Sequence, residues 1–91
     1  MLVDKNISTG EVVTIKLTSG EEIVAKLLEI GIMHYTLSRP MVIGMGQNGP
    51  GLMPYLFTVH PAKSVNLQKN TVTVIEETDK QFAEQYLQST I

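Results

Sequence analysis

Cysteine is absent from the 91-residue sequence. That single fact excludes disulfides, thiolate metal sites and cysteine nucleophiles. Arginine occurs once, at Arg39, and the net charge is −2. The chain therefore lacks the positive excess needed for a broad, non-specific grip on a phosphate backbone, although a small local site stays open. No segment approaches the roughly 18 consecutive apolar residues of a membrane span. Met1 to Gly10 lack the basic-then-apolar build of a signal peptide, so the expected location is the cytoplasm, without membrane contact. The two histidines, His34 and His60, make no typical zinc set without cysteine, and no metal is expected. No serine stands in a G-x-S-x-G context and no carboxylate pair flanks a recognisable cleft, so no catalytic residue is expected and the chain reads as a non-enzyme. What is present is a 43% hydrophobic composition, enough to fold one domain over residues 1–91.

One stretch suggests a cofactor. Gly44-Met45-Gly46-Gln47-Asn48-Gly49 satisfies G-x-G-x-x-G. A dinucleotide site, however, needs a helix opening at the third glycine, so that its amides meet the pyrophosphate. Here Pro50, Gly51 and Pro54 follow, which is turn chemistry. No acidic residue stands about 20 residues further on, around Lys63 to Val65, to hold a ribose. Gly44 to Pro54 is read as a connecting loop, and no nucleotide cofactor is expected.

The remaining chain is dominated by period two. Glu11 to Leu17 places Val13, Ile15 and Leu17 on one face, as a half-buried strand does. Gly20 is available for a turn with positive φ, and Glu21 to Ile30 resumes as the second arm of a hairpin. A third strand is expected over Ile32 to Pro40, with Met33, Tyr35 and Leu37 on one face. Tyr55 to His60, Ser64 to Leu67 and Thr71 to Glu77 also read as strands, with Pro61 interrupting the first two. Met33, Met41, Met45 and Met53 are expected to be packing residues. The period then changes. Thr78 to Gln81 has the T-x-x-Q form of a capping box, with Asp79 in the first turn. Phe82, Ala83, Tyr86 and Leu87 follow at helical spacing, and a helix this short must dock through that face.

The expected fold is mainly β: a small, five-stranded, strongly bent antiparallel sheet or SH3-like open barrel over about residues 10–77, with a short C-terminal helix over about 78–89. With that pattern, "GEVVTIKLTSGEEIVAKLLEIGIMHYTL" resembles the first motif of the Sm-like (LSm/Hfq-type) family. Gly20 matches the hairpin glycine, Ala25 the small mid-strand residue, and Met33 to Leu37 lie over M-N-x-x-L. "LQKNTVTVI" is similar to the second motif, I-R-G-x-x-V, with Leu67 and Val72 in register. The resemblance covers about Gly10 to Glu77 and is nearest to divergent Sm-like proteins of bacteriophages.

The resemblance implies a homo-oligomeric ring of about five to seven protomers that binds single-stranded RNA around its pore. The positions carried over are Ile32, His34, Gln68 and Lys69, with Asn70 beside them in the turn. Ile32 cannot stack on a base as an aromatic does, and Gln68 brings no charge where the family has arginine. His34 can stack and donate, and Lys69 can meet a phosphate. The subunit interface implied by the resemblance comprises Tyr55, Phe57, Val59, Thr71, Val72 and Val74. A second reading stays open: a structural or protein-interaction ring that has lost RNA binding. Without the resemblance, His34 reads as a structural or solvated histidine, Lys69-Asn70 as a hairpin turn, and Arg39 as a solvated charge or subunit salt bridge.

Overall fold

A computed structural model describes residues 7–90. Its first hairpin follows directly from the alternation. Strand β1 (Val12–Leu17) pairs antiparallel with β2 (Glu22–Ile30), setting Val13 opposite Ala25 and Ile15 opposite Ile23. Val13, Ile15, Leu17, Ile23, Ala25 and Leu27 are all buried in one cluster. The turn between them closes as Leu17 N–H donates to the Glu21 carbonyl and Gly20 N–H to the Leu17 carbonyl, each at 2.9 Å. Gly20 has φ 107°, the left-handed residue that a bulged three-residue hairpin loop requires.

The third strand differs from expectation. β3 runs from His34 to Gly46, 13 residues, passing through Pro40. At about 3.3 Å per residue it spans roughly 40 Å, close to the 41 Å long axis of the molecule. Tyr35 and Leu37 are buried as expected, whereas Met33 precedes the strand and is 66% exposed. Pro40 is accommodated because the β2–β3 ladder is irregular there: Val24 faces Met41, but Lys26 faces Ser38. Arg39, with φ 49°, absorbs the extra residue, as bulges do.

The glycine-rich stretch is a hairpin and not a loop. β3 continues to Gly46, Gln47 and Asn48 turn, and β4 (Gly49–Pro54) returns with Gly44 opposite Gly51 and Gly46 opposite Gly49. Gly49 has φ 100°. The composition that argued for irregular backbone is compatible with an edge strand, where one side has no ladder and proline is tolerated. Met45 and Met53 are 81% and 50% exposed on this hairpin, which corrects their reading as packing residues.

Tyr55 to His60 is likewise not a strand. These residues form a series of bends between β4 and β5 (Ser64–Gln68). β4 and β5 lie end to end along the same edge of β3, pairing with Met41–Gly46 and His34–Ser38. Residues 55–63 loop out between them, opposite the bulge at Arg39 and Pro40. The last backbone bond before the excursion is Tyr55 N–H to the Pro40 carbonyl, 3.0 Å. A 3₁₀ turn (Lys69–Thr71) leads into β6 (Val72–Glu77), which pairs with β1.

The result is mainly β: one sheet of six antiparallel strands in the order β4–β3–β2–β1–β6, with β5 also on β3. The sheet is not closed. The core cluster adds Ile7, Tyr35 and Leu37 to the first hairpin's residues, with Val42, Tyr55, Leu67, Val72 and Ile75 packed against it.

Helix α1 (Lys80–Ser89) follows β6 and is C-capped by Thr90. Its N-cap is Asp79, whose carboxylate accepts from Gln81 N–H at 3.2 Å. Thr78, expected as the cap, is instead buried with its hydroxyl 2.8 Å from that of Thr14 on β1. The docking face is also narrower than helical spacing predicts. Tyr86 is 1% exposed, but Phe82 and Leu87 are 39% and 47% exposed. Tyr86 docks through its hydroxyl as well as its ring. The oxygen accepts from Lys26 N–H (3.1 Å) and donates to the Ser38 carbonyl (2.6 Å), with the Arg39 carbonyl 3.0 Å away. Those are backbone groups that the β2–β3 irregularity releases from the ladder. Burial pushes the phenol above its ordinary value, so it stays protonated and able to donate.

A pair of acids sits where β6 ends. The Glu77 carboxyl is raised above the ordinary carboxylate range, first by a hydrogen bond with Glu11 and then by its charge. A raised carboxyl holds its proton more tightly in the folded chain, so its contribution is favourable at acid pH and is lost as pH rises through the raised value. Glu77→Gln should therefore melt above the wild type at pH 7, with the gap narrowing towards pH 4. Equal gaps in thermal scans at the two pH values would refute this electrostatic origin.

Candidate nucleic-acid interface

The residues singled out at positions 32 to 34 and 68 to 70 come together. The strand register places His34 opposite Gln68 on the β3–β5 ladder. One residue beyond, Lys69 N–H donates to the Met33 carbonyl at 2.9 Å, tying the 3₁₀ turn to the β2–β3 turn. The latter is closed by Gly31 N–H donating to the His34 carbonyl at 2.8 Å. Two loops distant in sequence thus form one cluster at the end of β3. Ile32 stands at its apex, 91% exposed. Gln68 and Asn70 are exposed, while His34 and Lys69 are half-buried.

Two further residues position this cluster, and neither was read as functional. A Cβ on Gly31 would lie 2.8 to 3.1 Å from three atoms of the His34 ring, so the imidazole lies against the bare glycine. The requirement here is space, since Gly31 is not among the positive-φ glycines. Tyr35, assigned to the core, is fully buried, and the Lys69 ammonium stands 4.9 Å from its ring centroid. That is within the roughly 6 Å of a cation–π contact. Once Lys69 is known to follow a strand paired with β3, the contact becomes legible, since Leu67 faces Tyr35 in register. No local pattern announces it. The arrangement provides an imidazole, an amide, a positioned ammonium and an exposed apolar tip.

The six residues implied as a subunit interface fall in three places. Val72 and Val74 are on β6, the edge strand beyond β1 among the described residues, with Val74 51% exposed. Thr71 belongs to the 3₁₀ turn, where its hydroxyl donates to the Gln68 carbonyl at 2.7 Å. Tyr55, Phe57 and Val59 lie in the excursion between β4 and β5 and offer no strand edge. Tyr55 packs on the core, and Phe57 is 79% exposed. The opposite free edge is instead β5, together with β4.

Among the described residues no group of three or more His, Cys, Asp or Glu could hold a metal. Among them, too, no helix is long and apolar enough to cross a membrane. No protein-family model matches the chain, and a search of curated proteins finds no similar sequence.

Proposed function

We propose that the protein is an Sm-like ring subunit that binds single-stranded RNA through His34, Gln68, Lys69 and Asn70, with Ile32 at the rim. The observation that carries this reading is the meeting of the two sequence-distant loops, with His34 opposite Gln68 and Lys69 bonded to Met33. The order β6–β1–β2–β3–β5, with a 3₁₀ turn between β5 and β6, supports it. The long β3–β4 hairpin is then an elaboration of that barrel. In the Sm-like fold the two loops of each subunit face the pore. A ring multiplies each weak pocket, which offsets the net charge of −2 by effective concentration.

The test is fluorescence anisotropy with short U-rich and A-rich RNAs at two salt concentrations. Lys69→Ala should weaken binding and lower the salt slope by about one unit for each phosphate that the lysine neutralises on one RNA. His34→Ala should cost roughly 1–3 kcal/mol per base stacked. Gly31→Ala should reproduce part of that loss while retaining the histidine, because the added methyl displaces its ring. Wild-type protein that binds neither RNA at low salt would overturn the reading. The alternative, a protein-interaction ring, is favoured by one specific observation: Ile32 and Met33 expose an apolar tip (91% and 66%) at the very loop in question.

A further inference from the structure

Roughly 20 Å further along β3 from His34, the excursion between β4 and β5 borders a half-open hollow of about 220 Å³. Its lining draws together the chain's single arginine, one of its two histidines and a lysine: Arg39, His60 and Lys63. Among the described residues no acidic side chain lines it, and the rest of its wall is largely apolar, with Met41, Leu56 and Val65 among the contributors. In a chain of net charge −2, two cations and a histidine around an apolar floor are a departure from the average surface.

The cations are positioned by backbone. His60 and Lys63 are the first and fourth residues of a turn closed by Lys63 N–H to the His60 carbonyl, 3.0 Å. Pro61 occupies the second position, where its fixed φ favours the turn. Ala62 N–H donates to His60 Nδ1 at 3.1 Å. With Nδ1 accepting, the ring proton resides on Nε2, which is left as a donor. Arg39 is held at φ 49°, a conformation that non-glycine residues adopt at a cost and that clusters at ligand sites. Its carbonyl and that of Ser38 lie against the Tyr86 hydroxyl. Two cationic side chains and a neutral imidazole thus line one largely apolar hollow.

We propose that this cavity binds a small organic oxyanion: a carboxylate or phosphate head met by Arg39, His60 and Lys63, on an apolar body packed against Met41, Leu56 and Val65. A volume of about 220 Å³ suits a body of about six carbons. The site is separate from the RNA-binding loops and does not depend on them.

The experiment is a two-dimensional amide NMR titration of the full chain with hexanoate, hexyl phosphate, hexanol and inorganic phosphate. Hexanoate or hexyl phosphate should give saturable shifts at Met41, Leu56, Ala62 and Val65, and the tighter of the two names the head group. Hexanol and inorganic phosphate should each bind about tenfold more weakly, since each lacks one half of the recognition. Lys63→Gln, in an exposed turn, and Arg39→Asn, which tolerates positive φ, should each weaken the better ligand by about tenfold. His34→Ala should leave it unchanged, whatever that variant does to RNA. The proposal is overturned if neither amphiphile saturates, if hexanol binds as well as hexanoate, if inorganic phosphate accounts for the whole affinity, or if both cation variants bind as the wild type does.

Discussion

Tyr86→Phe should destabilise the protein by about 1–3 kcal/mol, a large effect for the loss of one oxygen atom. The ring would stay buried, but Lys26 N–H and the Ser38 and Arg39 carbonyls would lose the hydroxyl that now serves them. Groups left dry and unpaired cost their full desolvation, whereas most exposed contacts of the helix cost little. For a domain of this size the loss corresponds to roughly 5–20 °C in Tm. Tyr86→Ala should cost about 3–5 kcal/mol, because it also leaves a void between helix and sheet. Phe82→Ala, on a residue 39% exposed, should cost much less than either. The comparison is made by thermal and urea unfolding at one protein concentration, so that any assembly contributes equally. A Tyr86→Phe variant as stable as the wild type would mean that water replaces the hydroxyl, and that the helix is held by its ring alone.

The second large effect concerns assembly. Among the described residues β6 and β5 are open edges on opposite sides of the sheet, and such edges offer unpaired amides to any passing strand. Thr71 to Ile75 carries no charge, proline or glycine to blunt the β6 edge. We propose that β6 of one subunit pairs with β5 of the next, a head-to-tail contact that closes when its rotation divides a full turn. Native mass spectrometry of the wild type should then show one dominant species of about five to seven protomers. Val74→Asp places a charge on the exposed face of that edge and should convert the ring to monomer or aggregate, while Val74→Thr should preserve it. Val74→Pro should also break the ring. A well-behaved wild-type monomer at micromolar concentration would remove the ring, and with it any function that depends on a pore.

The same edge shows how far local pattern reaches. Val72 and Val74 were legible as strand residues because threonine and valine alternate from Thr71 to Val74, but only the register shift on β1 sets Val72 against the core and leaves Val74 exposed. Tyr55, Phe57 and Val59 alternate equally well, yet that segment is bent. The edge of β3 opposite it is disrupted at Arg39 and Pro40, so it has no regular ladder to join. The glycine-rich stretch fails in the opposite sense. Its residues disfavour a strand, but register on β3 and a single positive-φ glycine at position 49 make one. A strand is stabilised by its neighbours, and propensity measured without them carries little weight.

The sequence by itself determined the first hairpin, the β-rich class, the buried alternation from Val13 to Leu27, and the C-terminal helix. Each rests on a period of two or 3.6 residues that a reader can count. It also picked out His34, Gln68 and Lys69, through a resemblance in motif. Tertiary structure alone decided that these residues adjoin, that Gly31 makes room for the His34 ring, and that Tyr35 lies beneath Lys69. It alone placed the Tyr86 hydroxyl in the β2–β3 irregularity and brought Arg39 to His60 and Lys63. All of these depend on the register of β3 and on the single residue that its bulge inserts. Register is a property of paired strands, set by the cooperative burial of whole faces, and no stretch of one strand encodes it.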